Sequence, residues 1–187
     1  MQKLSYEVTP LEKITIIVLS VVAVIVLYAT SEVIMSTLND FQITRHFNLQ
    51  EYASPDTNEV KIDCRLPDIA EQLRRGLECP LIVTSGYRTK AHNKKVGGAK
   101  DSYHMKGLAV DIKPVDTKVT LRKLFIKATK IKEVGGLGWY EDSHIHIDLR
   151  TDRLYWVKLK NEPIKYFKHV VGAISYYSAK TIPRIVL

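Results

Sequence analysis

The chain has 187 residues, of which 45% are hydrophobic and 26% are charged, and its formal net charge is +8. These proportions are ordinary for a folded domain, so they exclude a disordered chain and a protein with many membrane spans. The positive charge suits anionic partners such as nucleic acid, anionic lipid or cell-wall polymer, and charge alone does not choose among them. Because no aromatic-interleaved basic motif of a known nucleic-acid module is present, we expect no nucleic-acid partner.

The first element is an apolar run without charges, from Ile14 to Thr30. As a helix, its 17 residues would span about 26 Å, slightly less than the roughly 30 Å hydrocarbon core of a bilayer. The run is therefore either a transmembrane anchor or a signal segment cleaved near Ala29-Thr30-Ser31. A buried core helix is the third alternative, and nothing polar marks the second face that such a helix needs. Both membrane alternatives place the rest of the chain outside the cytoplasm.

The remainder divides by composition into a stalk, a globular domain and a tail. Residues 1–13 flank the apolar segment at 14–30, residues 31–45 form the stalk, residues 46–156 the domain and residues 157–187 a basic, aromatic tail. The tail is either an amphipathic helix on a membrane or wall polymer, or a terminal helix packed on the domain. We expect a monomer.

Helical and strand patterns are mixed within the domain, which predicts an α+β fold with a small antiparallel sheet and flanking helices. The predicted elements are a helix between Cys64 and Cys79, a strand at Leu81–Thr84, a short helix at Lys90–Val96, a strand at Gly107–Ile112, a helix at Thr117–Lys132, and strands at Leu137–Tyr140 and His144–Leu149.

The chain has two cysteines, Cys64 and Cys79, and an exported pair suggests a disulfide. The helix predicted between them would hold its ends about 15 Å apart, beyond the roughly 7 Å limit for bridged Cα atoms. We therefore predict two free, buried thiols.

The segment His144-Ile145-His146-Ile147-Asp148 alternates strictly between polar and apolar residues. In a strand, this period of two places both imidazoles and the carboxylate on one face and the isoleucines in the core. Two histidines on one face with a carboxylate nearby suit a metal site or an acid–base site. The alternative is a partly exposed polar face without chemistry.

A second polar position interrupts the apolar strand that ends at Ile112. Leu108 and Val110 alternate toward the core, so Asp111 lies on the opposite face and needs a partner. Gly107 permits a sharp backbone turn, which would let His104 approach the same point. Taken alone, this aspartate would be explained equally well by a structural salt bridge.

Together, His104, Asp111 and His146 offer two imidazoles and one carboxylate. Three protein ligands with a fourth position open for water are typical of catalytic zinc. Zinc in such a site lowers the pKa of water and polarises a carbonyl group. We therefore expect Zn²⁺ as the cofactor.

These segments resemble the zinc D-alanyl-D-alanine carboxypeptidases and their phage-endolysin relatives, in the group that includes lysostaphin-type peptidases and the hedgehog domain. The resemblance covers about residues 46–150. Its motifs are Phe47-Asn-Leu-Gln-Glu-Tyr52, Ser85-Gly-Tyr-Arg88, His92-Asn93, Val96-Gly-Gly-Ala99, Ser102-x-His104-x-x-Gly107-x-Ala109-x-Asp111 and His144-x-His146-x-Asp148.

The resemblance implies a role for each matching residue. His104, Asp111 and His146 are implied zinc ligands, and Arg88 binds the substrate carboxylate or carbonyl, which suits its fork of donors. Tyr87 and Ser102 are implied substrate contacts, although Ser102 could instead cap the loop. His144 stabilises the transition state or carries a proton, and Asp148 orients a ligand imidazole.

The general base is the position at which this sequence departs from the family. Relatives place Glu or Asp three residues before the last zinc histidine, where this chain has Ser143. The base is therefore Asp142 or His144. We predict zinc-dependent hydrolysis of D-amino-acid peptide bonds in peptidoglycan stem peptides, by a carboxypeptidase or an endopeptidase. The alternative is a catalytically silent, zinc-containing binding module of the hedgehog type, which the missing acid at position 143 favours.

Overall fold

The computed structural model describes residues 9–37 and 39–181, and the chain divides into two compact units, Met1–Leu38 and Asn39–Leu187. The first unit contains helix α1, Pro10–Thr37. Its segment Pro10–Ser31 is long and apolar enough to cross a membrane, and none of it is buried. The third alternative for this segment, a buried core helix, is therefore not supported.

The second unit is built around one six-stranded sheet with the strand order β1-β2-β4-β3-β5-β6. Every neighbouring pair is antiparallel except β3 and β5, which are parallel. The strands are β1 Leu81–Ser85, β2 Ala109–Pro114, β3 Gly136–Tyr140, β4 His144–Asp148, β5 Leu154–Lys158 and β6 Lys165–Phe167. The helices are α2 Arg65–Leu77, α3 Lys90–Lys95, α4 Leu121–Ala128 and α5 Val170–Thr181. The predicted α+β class with an N-terminal apolar helix is confirmed.

The hydrophobic core lies on one face of the sheet, where α2, α4 and α5 cover it. On α2, buried residues recur every three or four positions, as an amphipathic helix requires. On the central strands, Val110, Ile112, Ile145 and Ile147 are all fully buried. Strict alternation then places the polar residues of the same strands on the opposite face, which carries the site.

Two predicted elements begin two or more residues later than predicted, and capping explains both starts. Helix α4 begins at Leu121, after the predicted Thr117, because the Thr120 side chain accepts the Lys123 amide hydrogen and starts the helix there. Strand β2 begins at Ala109 because Gly107, at φ 70°, ends a 3₁₀ turn by donating its N–H to His104. Helix α4 is therefore shorter than predicted and β2 is shifted toward Pro114, while the buried faces of both elements are those predicted.

The cysteines are both free, as predicted, but Cys64 is exposed and only Cys79 is buried. The prediction of two buried thiols was therefore wrong for Cys64. It lies immediately before α2, outside the stretch whose side chains face the core.

The sheet continues past Trp156, the residue at which the sequence pattern placed the end of the domain. That position falls inside β5, and Val157 and Leu159 beyond it are buried in the core. Strand β6 pairs with β5, and α5 packs against both strands, with Ala173 buried. The second alternative for the tail, a terminal helix packed on the domain, describes α5.

Candidate metal centre

Three nitrogen and oxygen atoms from distant parts of the chain meet on the polar face of the sheet. Nε2 of His104 lies 3.1 Å from Nδ1 of His146 and 3.2 Å from Oδ1 of Asp111. Nδ1 of His146 lies 2.9 Å from the same Oδ1. All three residues are buried, and together they form a group able to hold a metal ion.

His104 is placed by the turn that precedes β2. The Ser102 hydroxyl caps this 3₁₀ turn by accepting the His104 amide hydrogen, and Gly107 ends it. Nδ1 of His104 lies 2.7 Å from the carbonyl oxygen of Gly86. Since a carbonyl oxygen only accepts, Nδ1 carries the hydrogen, and Nε2 faces the group with its lone pair.

His146 is held in the same manner by a carboxylate. Its Nε2 lies 3.1 Å from Oδ2 of Asp148, the next residue on that face of β4. Arg150 donates to both Asp148 oxygens, from Nε at 2.7 Å and from Nη2 at 2.5 Å. Burial raises the pKa of Asp148, but the hydrogen bonds from His146 and Arg150 outweigh it and the pKa is lowered. The carboxylate therefore accepts from Nε2, and the lone pair of Nδ1 faces inward.

Asp111 pairs with His146 across the β2–β4 ladder, so both side chains lie on one face. Its Oδ2 accepts a hydrogen bond from Nη2 of Arg88 at 2.5 Å, while Nε of Arg88 donates to the Ser85 hydroxyl at 2.7 Å. This bond orients the carboxylate and leaves Oδ1 for the two imidazoles. Burial raises the pKa of Asp111, but His104 and His146 outweigh it and hold the pKa well below its ordinary value.

The three inward atoms are thus all acceptors when both imidazoles are neutral. Acceptors at 2.9–3.2 Å repel one another unless a proton or a cation lies among them. Their spacing is close to the roughly 3.3 Å edge of a tetrahedron with metal–ligand bonds of about 2.0 Å. Two imidazoles and a carboxylate are also the donor types that zinc takes in catalytic sites. The residues fit a zinc ion.

The pKa shifts of the two histidines, His104 and His146, agree with a metal site. Burial lowers the pKa of His104, so its ring is neutral and ready to act as a ligand. Burial also lowers the pKa of His146, but hydrogen bonds to the carboxylates of Asp111 and Asp148 outweigh it and raise the pKa. Metal binding would therefore compete with a proton at His146.

His144 occupies the next position on the polar face of β4 and lies at the edge of the group. Its Nε2 is 3.7 Å from Oδ2 of Asp111, and its Nδ1 is 2.8 Å from the Ser143 hydroxyl. The ring stacks on Tyr140, with centroids 4.5 Å apart. Because burial lowers the pKa of His144, a neutral ring is favoured near pH 7.

A cleft of about 750 Å³ opens over this group. Of the predicted site residues, the structure brings Arg88, Ser102 and His144 to the cleft beside the three candidate ligands. Neither Tyr87 nor Asp142 is among the described residues that line it. Asp142 lies in the β3–β4 turn with φ 51° and is exposed, so strand alternation does not extend to it. Burial raises the pKa of Tyr177 on α5, and the nearby charge of Asp142 raises it further.

Sequence reasoning missed the residues that line the far side of the cleft. They come from β3 and from the segment after β4: Tyr140, Arg150, Trp156, Lys158, Ile164 and Tyr166. The available signal was Gly136-Leu137-Gly138, a strand with two glycines on one face. A Cβ on Gly138 would lie 2.3 Å from Nε1 of Trp156, so this glycine makes room for the indole ring.

The comparisons with known proteins agree with the resemblance drawn from the motifs. The family model described as Peptidase M15 matches residues 42–148, which include all three candidate ligands and more than half of the chain. No curated protein sequence matches the chain closely enough to serve as a relative. The chain belongs to the Peptidase M15 family, the family of zinc D-Ala-D-Ala carboxypeptidases.

Proposed function

We propose that this protein is a zinc-dependent hydrolase of D-amino-acid peptide bonds in peptidoglycan stem peptides. Membership of the Peptidase M15 family supports a peptidase. The observation that carries the proposal is the convergence of three lone pairs, from His104, Asp111 and His146, at the floor of an open cleft. A purely structural zinc site would be closed by a fourth protein ligand.

Zinc at this position would supply a Lewis acid for the scissile carbonyl and a water of lowered pKa. The surrounding side chains of this chain orient the substrate and handle the proton. Arg88 suits the first task, because its guanidinium has five donors and the bonds to Ser85 and Asp111 use two of them. The remaining donors can bind the carboxylate of a terminal D-residue or stabilise negative charge on the scissile carbonyl oxygen.

We assign the proton transfer to His144. It lines the cleft, is 20% exposed and is neutral near pH 7, so it can accept a proton and return it to the leaving amine. Asp142, the other candidate from the sequence, lies outside the cleft lining. The Ser143 hydroxyl occupies the position of the expected acid and bonds to Nδ1 of His144, which orients the ring.

The same serine favours the second candidate function, a zinc-containing module that binds wall peptides or a protein without cleaving them. A site that keeps its three ligands and lacks an acid at position 143 would retain the metal and lose turnover. The two functions differ in one measurable property, the rate of peptide cleavage by the metal-loaded protein.

We further propose that α1 holds the domain at the outer face of a bacterial membrane, as an uncleaved anchor or as a signal segment before export. Its exposed apolar surface, with none of Pro10–Ser31 buried, supports a lipid environment. Substrates of an M15 peptidase of this kind would be found outside the cytoplasm, where the wall is built. The protein would act as a monomer in contact with peptidoglycan peptides.

The test uses the full-length protein purified in detergent and loaded with zinc. A pentapeptide ending in D-Ala-D-Ala and purified peptidoglycan are incubated with it, and the products are identified by mass spectrometry. We expect release of D-Ala or of soluble muropeptides, and loss of both after chelation or in His146→Ala. Bound zinc without any cleavage would instead establish the silent binding module. Cleavage by metal-free His146→Ala at the wild-type rate would overturn both candidates.

A further inference from the structure

One row of paired residues runs across the sheet from the metal centre to the far edge. Asp111 pairs with His146, His146 with Gly138, and Gly138 with Trp156. The row ends where Trp156 pairs with Tyr166 on β6. Residues paired across neighbouring strands point to the same face, so all of these side chains lie on the side of the sheet that carries the metal centre.

Gly138 lets this row form a continuous floor. Its missing side chain leaves space for the indole of Trp156, whose Nε1 would lie 2.3 Å from a Cβ at that position. The indole ring lies 5.1 Å from the ring of His146, and Nε1 donates to the hydroxyl of Tyr140 at 3.3 Å. The ring of Tyr166 follows 6.3 Å further out. Aromatic surface therefore extends from the candidate ligand to the edge of the sheet.

The length of this floor sets how many residues of an extended peptide can lie along it. Neighbouring strands lie about 4.8 Å apart, so the three steps from β4 to β6 cover roughly 14 Å. An extended peptide covers that distance in about four residues at roughly 3.4 Å each. Arg88 follows β1 on the opposite side of the metal centre. If Arg88 binds the end of a peptide that is cleaved, only residues several positions away from the cleaved bond would reach Tyr166.

The chemistry of the outer wall is apolar and cationic. Tyr166 is 60% exposed and Ile164 is 38% exposed, although both line the cleft. Lys158 lines the same region, and the guanidinium of Arg150 lies 5.2 Å from the ring of Trp156 while it pairs with Asp148. Exposed ring and aliphatic faces beside a lysine suit a peptide segment that carries a carboxylate.

We propose that Trp156, Lys158, Ile164 and Tyr166 form a distal subsite, on the side of the metal centre away from Arg88, for an anionic peptide segment three to four residues from the cleaved bond. The proposal rests on the proposed peptidase function of the cleft. All four residues follow the region that the family model matches. The subsite makes long acidic peptides better substrates than short ones with the same terminal residues.

The test compares two substrates in Tyr166→Ala: an acidic pentapeptide ending in D-Ala-D-Ala, and an acylated tripeptide with the same last three residues. Phe41→Ala, which removes a 53%-exposed aromatic ring outside the cleft lining, is the matched control. We expect Tyr166→Ala to raise KM for the pentapeptide about three- to tenfold with kcat unchanged, since an aromatic contact is worth a factor of this size. The tripeptide and the control variant should show no change.

Charge is tested with Lys158→Met and a pentapeptide whose glutamate is replaced by glutamine. Lys158→Met should raise KM for the acidic pentapeptide and leave KM for the neutral one unaltered. Equal effects of Tyr166→Ala on the pentapeptide and the tripeptide, or no effect on either, would overturn the subsite. If the wild type cleaves neither peptide, the proposed function fails. Calorimetry with the uncleaved acidic pentapeptide then decides the subsite, and identical Kd values for wild type and Tyr166→Ala overturn it.

Discussion

Nε2 of His146 lies 3.1 Å from Oδ2 of Asp148, the residue two positions further along the same strand. Because this carboxylate only accepts, the bond fixes the tautomer of His146 and turns its Nδ1 lone pair toward His104 and Asp111. Arg150 in turn holds the carboxylate with two donors. The geometry of the candidate metal centre therefore depends on a residue that binds no metal itself.

Asp148→Asn should weaken zinc binding by about ten- to one-hundredfold, because an amide donates or accepts without fixing the tautomer as a carboxylate does. The affinity is measured by competition with a chromogenic chelator. Asp152→Asn, an exposed acid after the same strand, is the control and should bind zinc like the wild type. Equal zinc affinity in Asp148→Asn and wild type would show that Asp148 does not position His146.

Gly138→Ala should destabilise the fold by about 1–3 kcal/mol, because the added Cβ would press against the indole of Trp156 in a packed site. The free energy of unfolding is measured by urea titration followed by circular dichroism. Trp156→Leu supplies the partner variant for a double-mutant cycle. The double variant should lose less stability than the two single variants together, and strictly additive losses would contradict the contact.

Glu71 on α2 couples the stability of the domain to pH. Its carboxylate accepts hydrogen bonds from Thr44, at 3.0 Å, and from the His46 backbone, at 3.2 Å, and it lies 2.7 Å from Nδ1 of His46. Burial raises the pKa of Glu71, but these hydrogen bonds outweigh it and the pKa lies below its ordinary value of 4.5. The stabilisation is therefore complete above pH 4.5 and is lost as the pH falls through the lowered pKa of the folded state.

Glu71→Gln should accordingly cost about 1–3 kcal/mol at pH 7 and progressively less in acid, since the variant removes a buried charged acceptor. Urea unfolding of both proteins between pH 7 and pH 3 measures the difference. Glu59→Gln, an exposed acid, is the control. If the difference in unfolding free energy between the two proteins is constant over this range, the charge of Glu71 does not stabilise the fold.

The sequence predicted the local geometry of the site because strand alternation is a local property. His144, His146 and Asp148 share one face of β4 for that reason alone. The placement of Asp111 beside His146 was a hypothesis that combined two separate motifs, and the direct pairing of β2 with β4 brings the two residues together. The motif spacing within residues 42–148 supplied the remaining assignments of site residues.

Strand alternation and motif spacing could not predict the far wall of the cleft, because that wall depends on pairing between segments distant in sequence. Strand β5 pairs with β3 in parallel, and this places Trp156 beside Gly138. No local pattern near residue 156 indicates that partner, and the basic composition after Tyr155 suggested a separate tail. The conformation of Asp142 was missed for a related reason. Its positive φ places it in the β3–β4 turn, so the alternation of side chains along β4 begins only at His144.

His144→Ala should lower kcat by about a hundredfold or more while the zinc content stays at the wild-type level, because general acid–base catalysis contributes about 10²–10⁴-fold. His144 lies in the cleft, 3.7 Å from Asp111 and hydrogen-bonded to Ser143. It is not one of the three candidate metal ligands, so its loss should leave zinc binding intact. Asp142→Asn is the matched test of the other candidate and should change kcat less than twofold, since its side chain is exposed in the turn and does not line the cleft. Both variants are assayed on the D-Ala-D-Ala pentapeptide with zinc measured on the same samples. A large loss of kcat in Asp142→Asn with normal activity in His144→Ala would reverse the assignment of the base.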